Sequence, residues 1–108
     1  MINRKALKWF LDSNHAWLRV DLKDLIKLKI VHEVSNYSYI NGKYAYLEED
    51  CDALYFAGAA NLSLQDYNGE TIPMVNCKNQ STIRKYRSFC ADTFCLYYNN
   101  NLNEERGV

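Results

Sequence analysis

Four tyrosines crowd into ten positions, Tyr37, Tyr39, Tyr44 and Tyr46, at alternating places on either side of Asn41-Gly42. Phenol rings on a strand platform stack on bases or anchor a protein interface, because each offers a large rigid face with a polar tip. An acidic run follows at once, with Glu48, Glu49, Asp50 and Asp52. Carboxylate oxygens suit a hard cation, but a calcium loop needs alternating ligands, a central glycine and a closing glutamate, and this run has no such order. A two-metal nuclease would want a lysine or histidine close by, and Lys43 is the one local candidate. The run therefore reads as the start of a helix with a solvated acidic surface, or as an acidic docking patch, and no metal is expected. Its basic counterpart is Arg84, Lys85 and Arg87, interleaved with Tyr86 and Phe89. Arginine beside an aromatic suits phosphate or single-strand contacts, yet three charges are too few to hold nucleic acid tightly alone. Neutralising the acidic run inside the fold is the plainer expectation.

Other chemistry is sparse. Cys51, Cys77, Cys90 and Cys95 are spaced by 26, 13 and 5, and His15 and His32 lie far from them. Structural zinc draws its ligands in close pairs, so buried free thiols are expected instead. His15 could orient a cysteine, but nothing in the sequence places the two together. The chain has no nucleophile elbow, phosphate-binding glycine loop or zinc-protease motif, and neither catalysis nor a cofactor is expected.

The elements that must position these residues fit one domain, expected over residues 1–98 with a polar, frayed tail at 99–108. The 108 residues carry 13 basic and 13 acidic groups, which argues against a duplex-DNA binder. The neutrality is segmented: residues 1–30 net +4, residues 31–70 net −6, and residues 71–98 net +3. Opposite blocks either form separate charged faces or fold against one another. No apolar run approaches a membrane span, and the apolar start is short for a signal peptide, so a cytoplasmic location is expected.

Ala6, Leu7, Phe10 and Leu11 predict an amphipathic helix over residues 3–12, and residues 16–20 predict a strand with Trp17 and Arg19 opposite Leu18 and Val20. Asp21 is a good N-cap for a helix carrying Leu22, Leu25, Ile26 and Leu28, with Asp24 making its first turn acidic. Asn41-Gly42 between alternating β-formers predicts a hairpin over 35–48 closed by a type I′ turn. That register pairs Tyr39 with Tyr44 and Tyr37 with Tyr46, gathering four rings on one face. The other face, with Ser38, Ala45 and Leu47, is smaller and more polar, so the tyrosine side is expected to be the packed one. A helix is expected through residues 53–60 with Asn61 as C-cap. A second hairpin is expected between residues 62–64 and 72–76, with Pro73 making the latter strand an edge. Ser81 is expected to cap a short helix through residue 89. The fold class is α+β: a small antiparallel sheet centred on the 35–48 hairpin, packed with two to four short helices.

The runs His15-Ala16-Trp17-Leu18-Arg19-Val20, Tyr37-Ser38-Tyr39 and Tyr46-Leu47-Glu48-Glu49-Asp50-Cys51-Asp52-Ala53, with Ser81-Thr82-Ile83-Arg84-Lys85-Tyr86-Arg87, resemble a family of small proteins of bacteriophages and other mobile elements. The likeness spans roughly residues 15–89, with Ala16 where the family pattern has glycine. It implies no activity; it implies a genomic setting in which small proteins interfere with host defences, anti-CRISPR proteins among them. The expected function is therefore non-enzymatic, stoichiometric inhibition of a host protein or ribonucleoprotein, with affinity from the tyrosines and steering from the acidic run. The alternative is a single-stranded nucleic-acid module using the tyrosines with Arg84, Lys85 and Arg87.

Overall fold

The computed structural model describes residues 2–62, 72–77 and 82–105, with side chains as far as Asn101. Six strands form one mixed sheet: β1 (Lys8–Leu11), β2 (Ala16–Asp21), β3 (Tyr39–Asn41), β4 (Tyr44–Glu48), β5 (Met74–Asn76) and β6 (Arg87–Ser88), in the spatial order β5-β1-β2-β4-β3-β6. Three helices complete the α+β fold: α1 (Leu22–Lys27), α2 (Asp52–Ala60) and α3 (Ala91–Glu105).

Alternation along the strands sorts side chains onto two faces. One face, with Leu18, Val20, Ile40, Ala45 and Leu47, is fully buried beneath Leu22 and Leu25 of α1, Ala53 and Phe56 of α2, and Phe94 of α3. This is the main core. The tyrosine face is packed as well, but more thinly: Trp17, Tyr46 and Ile83 form a second cluster, with Phe10, Tyr39, Tyr44 and Tyr86 half-buried around it. The expectation that the tyrosine side carries the main packing is thus reversed. Ser38, the residue that made the other face look polar, is buried because its hydroxyl has partners on both sides, donating to Asp52 and accepting from the Glu48 N–H.

The hairpin forms with a different turn. Tyr39 pairs with Tyr46, Ile40 with Ala45 and Asn41 with Tyr44, so the two-residue loop is Gly42-Lys43. Only Gly42 (φ +60°) takes the left-handed region there, which suits a turn with glycine first rather than the type I′ turn that needs two positive φ values. Bonds from elsewhere hold this loop: the Leu22 N–H donates to the Lys43 carbonyl, and Asn101 Nδ2 donates to the Gly42 carbonyl. Tyr39, Tyr44 and Tyr46 still share a face. Tyr37 lies in the turn before β3, outside the ladder.

Several elements differ from expectation. Residues 3–12 form a 3-10 turn (Arg4–Ala6) and then β1, not a helix, since pairing with β2 lets Phe10 and Trp9 each bury on its own face. Residues 74–76 are a strand that pairs in parallel with β1, at the edge of the sheet among the described residues; the second hairpin expected between residues 62–64 and 72–76 falls on residues 63–71, which lie outside the described residues. Thr82–Lys85 is a 3-10 turn followed by β6, in place of a helix through residue 89, and Ser81 lies outside the described residues. The expected tail from residue 99 is helical to Glu105, and its Asn101 is buried. Asp21 caps α1 through the Lys23 N–H, and Asn61 (φ +53°) closes α2, as expected.

Candidate functional site

The tyrosine face is closed in its middle and open at one end. At the open end a cleft of about 520 Å³ is lined by His15, Trp17, Ser35, Tyr37, Tyr39, Glu48, Asp50, Cys51 and Arg84. Five of these are residues singled out in the sequence: Tyr37, Tyr39, Glu48, Asp50 and Arg84. The sheet gathers them because β2 lies beside β4, with Trp17 opposite Glu48, while Tyr39 sits one strand further over. His15 comes from the β1–β2 loop, and Asp50 and Cys51 come from the entry to α2.

Trp17 is the hub of the cleft wall. It is 2% exposed, meets Tyr39 edge-on at 6.1 Å between centroids, and has the His15 ring stacked on it at 5.9 Å. The Arg84 guanidinium lies over it at 5.1 Å, a cation on an aromatic face. The Trp17 indole N–H has no hydrogen-bond partner among the described residues. Tyr37 is the open side of the cleft, 75% exposed.

Arg84 does not neutralise the acidic run. Its Nε donates to Asp12 Oδ2 at 2.8 Å and its Nη2 to Oδ1 at 3.3 Å, a two-point contact with a carboxylate whose side chain is only 1% exposed. The hydrogen bond that Arg84 donates to Asp12 raises the pKa of Arg84 above its ordinary value, so the charge is permanent. Asp12 also accepts from the N–H groups of Asn14 and His15, a local turn that presents its carboxylate to residue 84. Arg84 Nη2 lies 2.8 Å from His15 Nδ1. A guanidinium only donates, so this nitrogen is the acceptor and His15 carries its hydrogen on Nε2. Among the described residues, Lys85 and Arg87 are exposed, make no ion pair and stand outside the cleft lining.

The acidic run divides. Asp50 is exposed on the cleft. Glu48 is half-buried there, and its Oε2 accepts from the Cys51 N–H at 3.1 Å, bridging the entry to α2. Glu49 is half-buried outside the cleft, its N–H donating to the Ala16 carbonyl. Asp52, 2% exposed, is structural: one oxygen accepts from the Ser35 N–H, the Ser35 hydroxyl and the Ser38 hydroxyl. It ties the segment before β3 to the start of α2 and thereby sets one side of the cleft. Sequence spacing could not separate Asp50 from Asp52, because that distinction needs the two serines.

Tyr46 and Tyr44 are support rather than lining. Tyr46 is 6% exposed, with its ring against Phe10 and Tyr86. Burial and then the neighbouring Tyr86 push its phenol up to about 12. Tyr44 packs under the Arg19 guanidinium at 4.5 Å and lines a smaller pocket of about 180 Å³ with Asp21, Lys43 and Asn101. The four cysteines are free, and against expectation none is buried: Cys51, Cys90 and Cys95 are exposed and Cys77 half-buried. Cys90 precedes α3, where hydrogen bonds from Thr93 hold its thiol below the ordinary value. Among the described residues no three His, Cys, Asp or Glu side chains converge to hold a metal, and no helix is long and apolar enough to cross a membrane.

His15, Trp17, Ser35 and Cys51 complete the cleft without having been singled out as its members. Trp17 was legible as a strand residue on the same face as Arg19, but its neighbours came from distant segments. Compared with protein-family models, with curated proteins and with solved structures, the chain gives no match in any of the three.

Proposed function

We propose that this chain is a non-enzymatic binding protein that captures a host protein or ribonucleoprotein stoichiometrically, with the cleft beside Trp17 as its recognition surface. One observation carries the reading: Tyr37, the most exposed of the four tyrosines at and just before the hairpin, stands at the rim of a cleft that also holds Tyr39, Glu48 and Asp50. A rigid aromatic beside uncovered carboxylates supplies affinity and steering together. The resemblance to phage and mobile-element proteins makes an anti-defence inhibitor, CRISPR inhibition among them, the concrete version.

The single-strand alternative loses support from its own basic group. Arg84 is matched by Asp12, and Lys85 and Arg87 stand apart from the open tyrosine. The test expresses the full chain in a defence-bearing host, beside a Tyr37→Ala/Asp50→Asn variant checked for folding. Expected are loss of immunity and recovery of one defence component in fixed ratio, both diminished in the variant. Intact immunity with no component recovered overturns the reading. Recovery of nucleic acid instead, weakening steeply with salt and on Tyr39→Ala, favours the alternative.

A further inference from the structure

The proposed docking role leaves open which chemical group enters the cleft, and the charges around it narrow the choice. Arg84 and Asp12 cancel, since the guanidinium contacts both carboxylate oxygens of a buried partner. His15 adds no positive charge while its Nδ1 accepts from Arg84. Glu48 and Asp50 remain on the lining. Among the described residues, the Glu48 carboxylate accepts from a backbone N–H alone, and neither Glu48 nor Asp50 makes an ion pair. Among the described residues, the cleft therefore carries the carboxylates of Glu48 and Asp50 without an ion-pair partner, beside the rings of Tyr37 and Tyr39.

The molecule itself displays what this combination holds. Arg84 sits over the Trp17 ring with its donors on a carboxylate, and Arg19 lies over Tyr44 and Phe10. A guanidinium is planar and weakly hydrated, and so it leaves water for an aromatic face more readily than an ammonium does. Tyr37 and Tyr39 with Glu48 and Asp50 present the same two chemistries in the lining that Arg84 shares, and among the described residues no guanidinium lies over either tyrosine ring or pairs with either carboxylate.

We infer that the occupant is an arginine side chain of a protein partner, its guanidinium lying against Tyr37 and Tyr39 and its charge met by Glu48 and Asp50. The inference rests on the docking role proposed above and names the group recognised. It is tested on the isotopically labelled full chain by NMR, using a capped Gly-Arg-Gly peptide, its neutral citrulline counterpart, its lysine counterpart and a short oligothymidine. The arginine peptide is expected to shift the Trp17 indole N–H and the Tyr37 and Asp50 amides. Citrulline should not, and the folded variant Glu48→Gln/Asp50→Asn should bind about tenfold more weakly or worse. Equal response to citrulline, equal response to lysine, no loss in the variant, or oligothymidine shifting the same signals would each overturn the assignment. The two proposals fail separately. A partner still captured by Glu48→Gln/Asp50→Asn sinks the arginine site alone, whereas arginine binding with no captured partner and intact immunity sinks the inhibitor role alone.

Discussion

The two faces of the sheet solve the same burial problem with different side chains. The helix-covered face uses Leu18, Val20, Ile40, Ala45 and Leu47, none of them measurably exposed, under three helices. Among the described residues, the opposite face uses Trp17, Tyr46, Tyr39, Tyr44 and Phe10 with Tyr86 and a 3-10 turn carrying Ile83. Aliphatic side chains need complete cover to contribute fully. Tyrosine can stay half-covered, because its polar tip stays wet while its ring packs. A thinly roofed aromatic face can therefore end in an open cleft, whereas the aliphatic face cannot.

The sharpest way to break this contrast is to hollow out each face in turn. Leu47→Ala should cost about 3–4 kcal/mol, as a cavity in a core with no room to collapse, read by chemical denaturation. A cost under about 1 kcal/mol would mean the aliphatic face is not the main core. Asp52→Ala follows at about 2–3 kcal/mol, because it leaves two hydroxyls and an N–H with their shared acceptor gone. Its cleft-lining neighbour Asp50→Asn should leave stability within about 0.5 kcal/mol, as an exposed surface change does.

Ionisation separates the faces too. On the aliphatic side Asp24 is fully buried, with Oδ2 accepting from the Asn3 N–H at 2.7 Å and Lys27 Nζ 3.7 Å from Oδ1. Burial raises its pKa above the ordinary 3.8, so the folded state holds the proton more tightly than the unfolded chain. Stability from this group is complete below pH 3.8 and is lost as pH rises through the elevated value; Asp24→Asn should flatten that decline in denaturation at stepped pH. On the aromatic side the Tyr46 phenol titrates near 12 rather than 10.0. Its contribution is present below pH 10.0 and fades as pH rises towards about 12, and Tyr46→Phe should remove that alkaline loss. The smallest effect belongs to the open rim: Tyr37→Ala should change stability by no more than about 0.5 kcal/mol while weakening capture of the partner.

Particular residues mark how far the sequence could be read. Asp21 and Asn61 cap helices where their types predict, because a cap is a local hydrogen bond or a local φ. Tyr39, Tyr44 and Tyr46 share a face because strand alternation survives the change of turn. Residues 8–11 read as helix since apolar pairs at that spacing fit both periods in so short a run, and the choice is made by the hydrogen bonds β2 offers. The Arg84–Asp12 contact joins residues 72 apart, and no local rule predicts it. It changes the candidate site most, because it takes the central basic group away from the acidic run.

Composition and spacing by themselves determined that this chain makes a small α+β domain with a tyrosine-rich hairpin delivering carboxylates to a helix start. Those features follow from propensity, alternation and capping, which act over a few residues. Which face became the main core, which carboxylate was buried and which stayed open, and where the basic charge went were decided by tertiary structure. Each of those outcomes depends on partners brought from distant segments, whose hydrogen bonds and cover exist only once the sheet has closed.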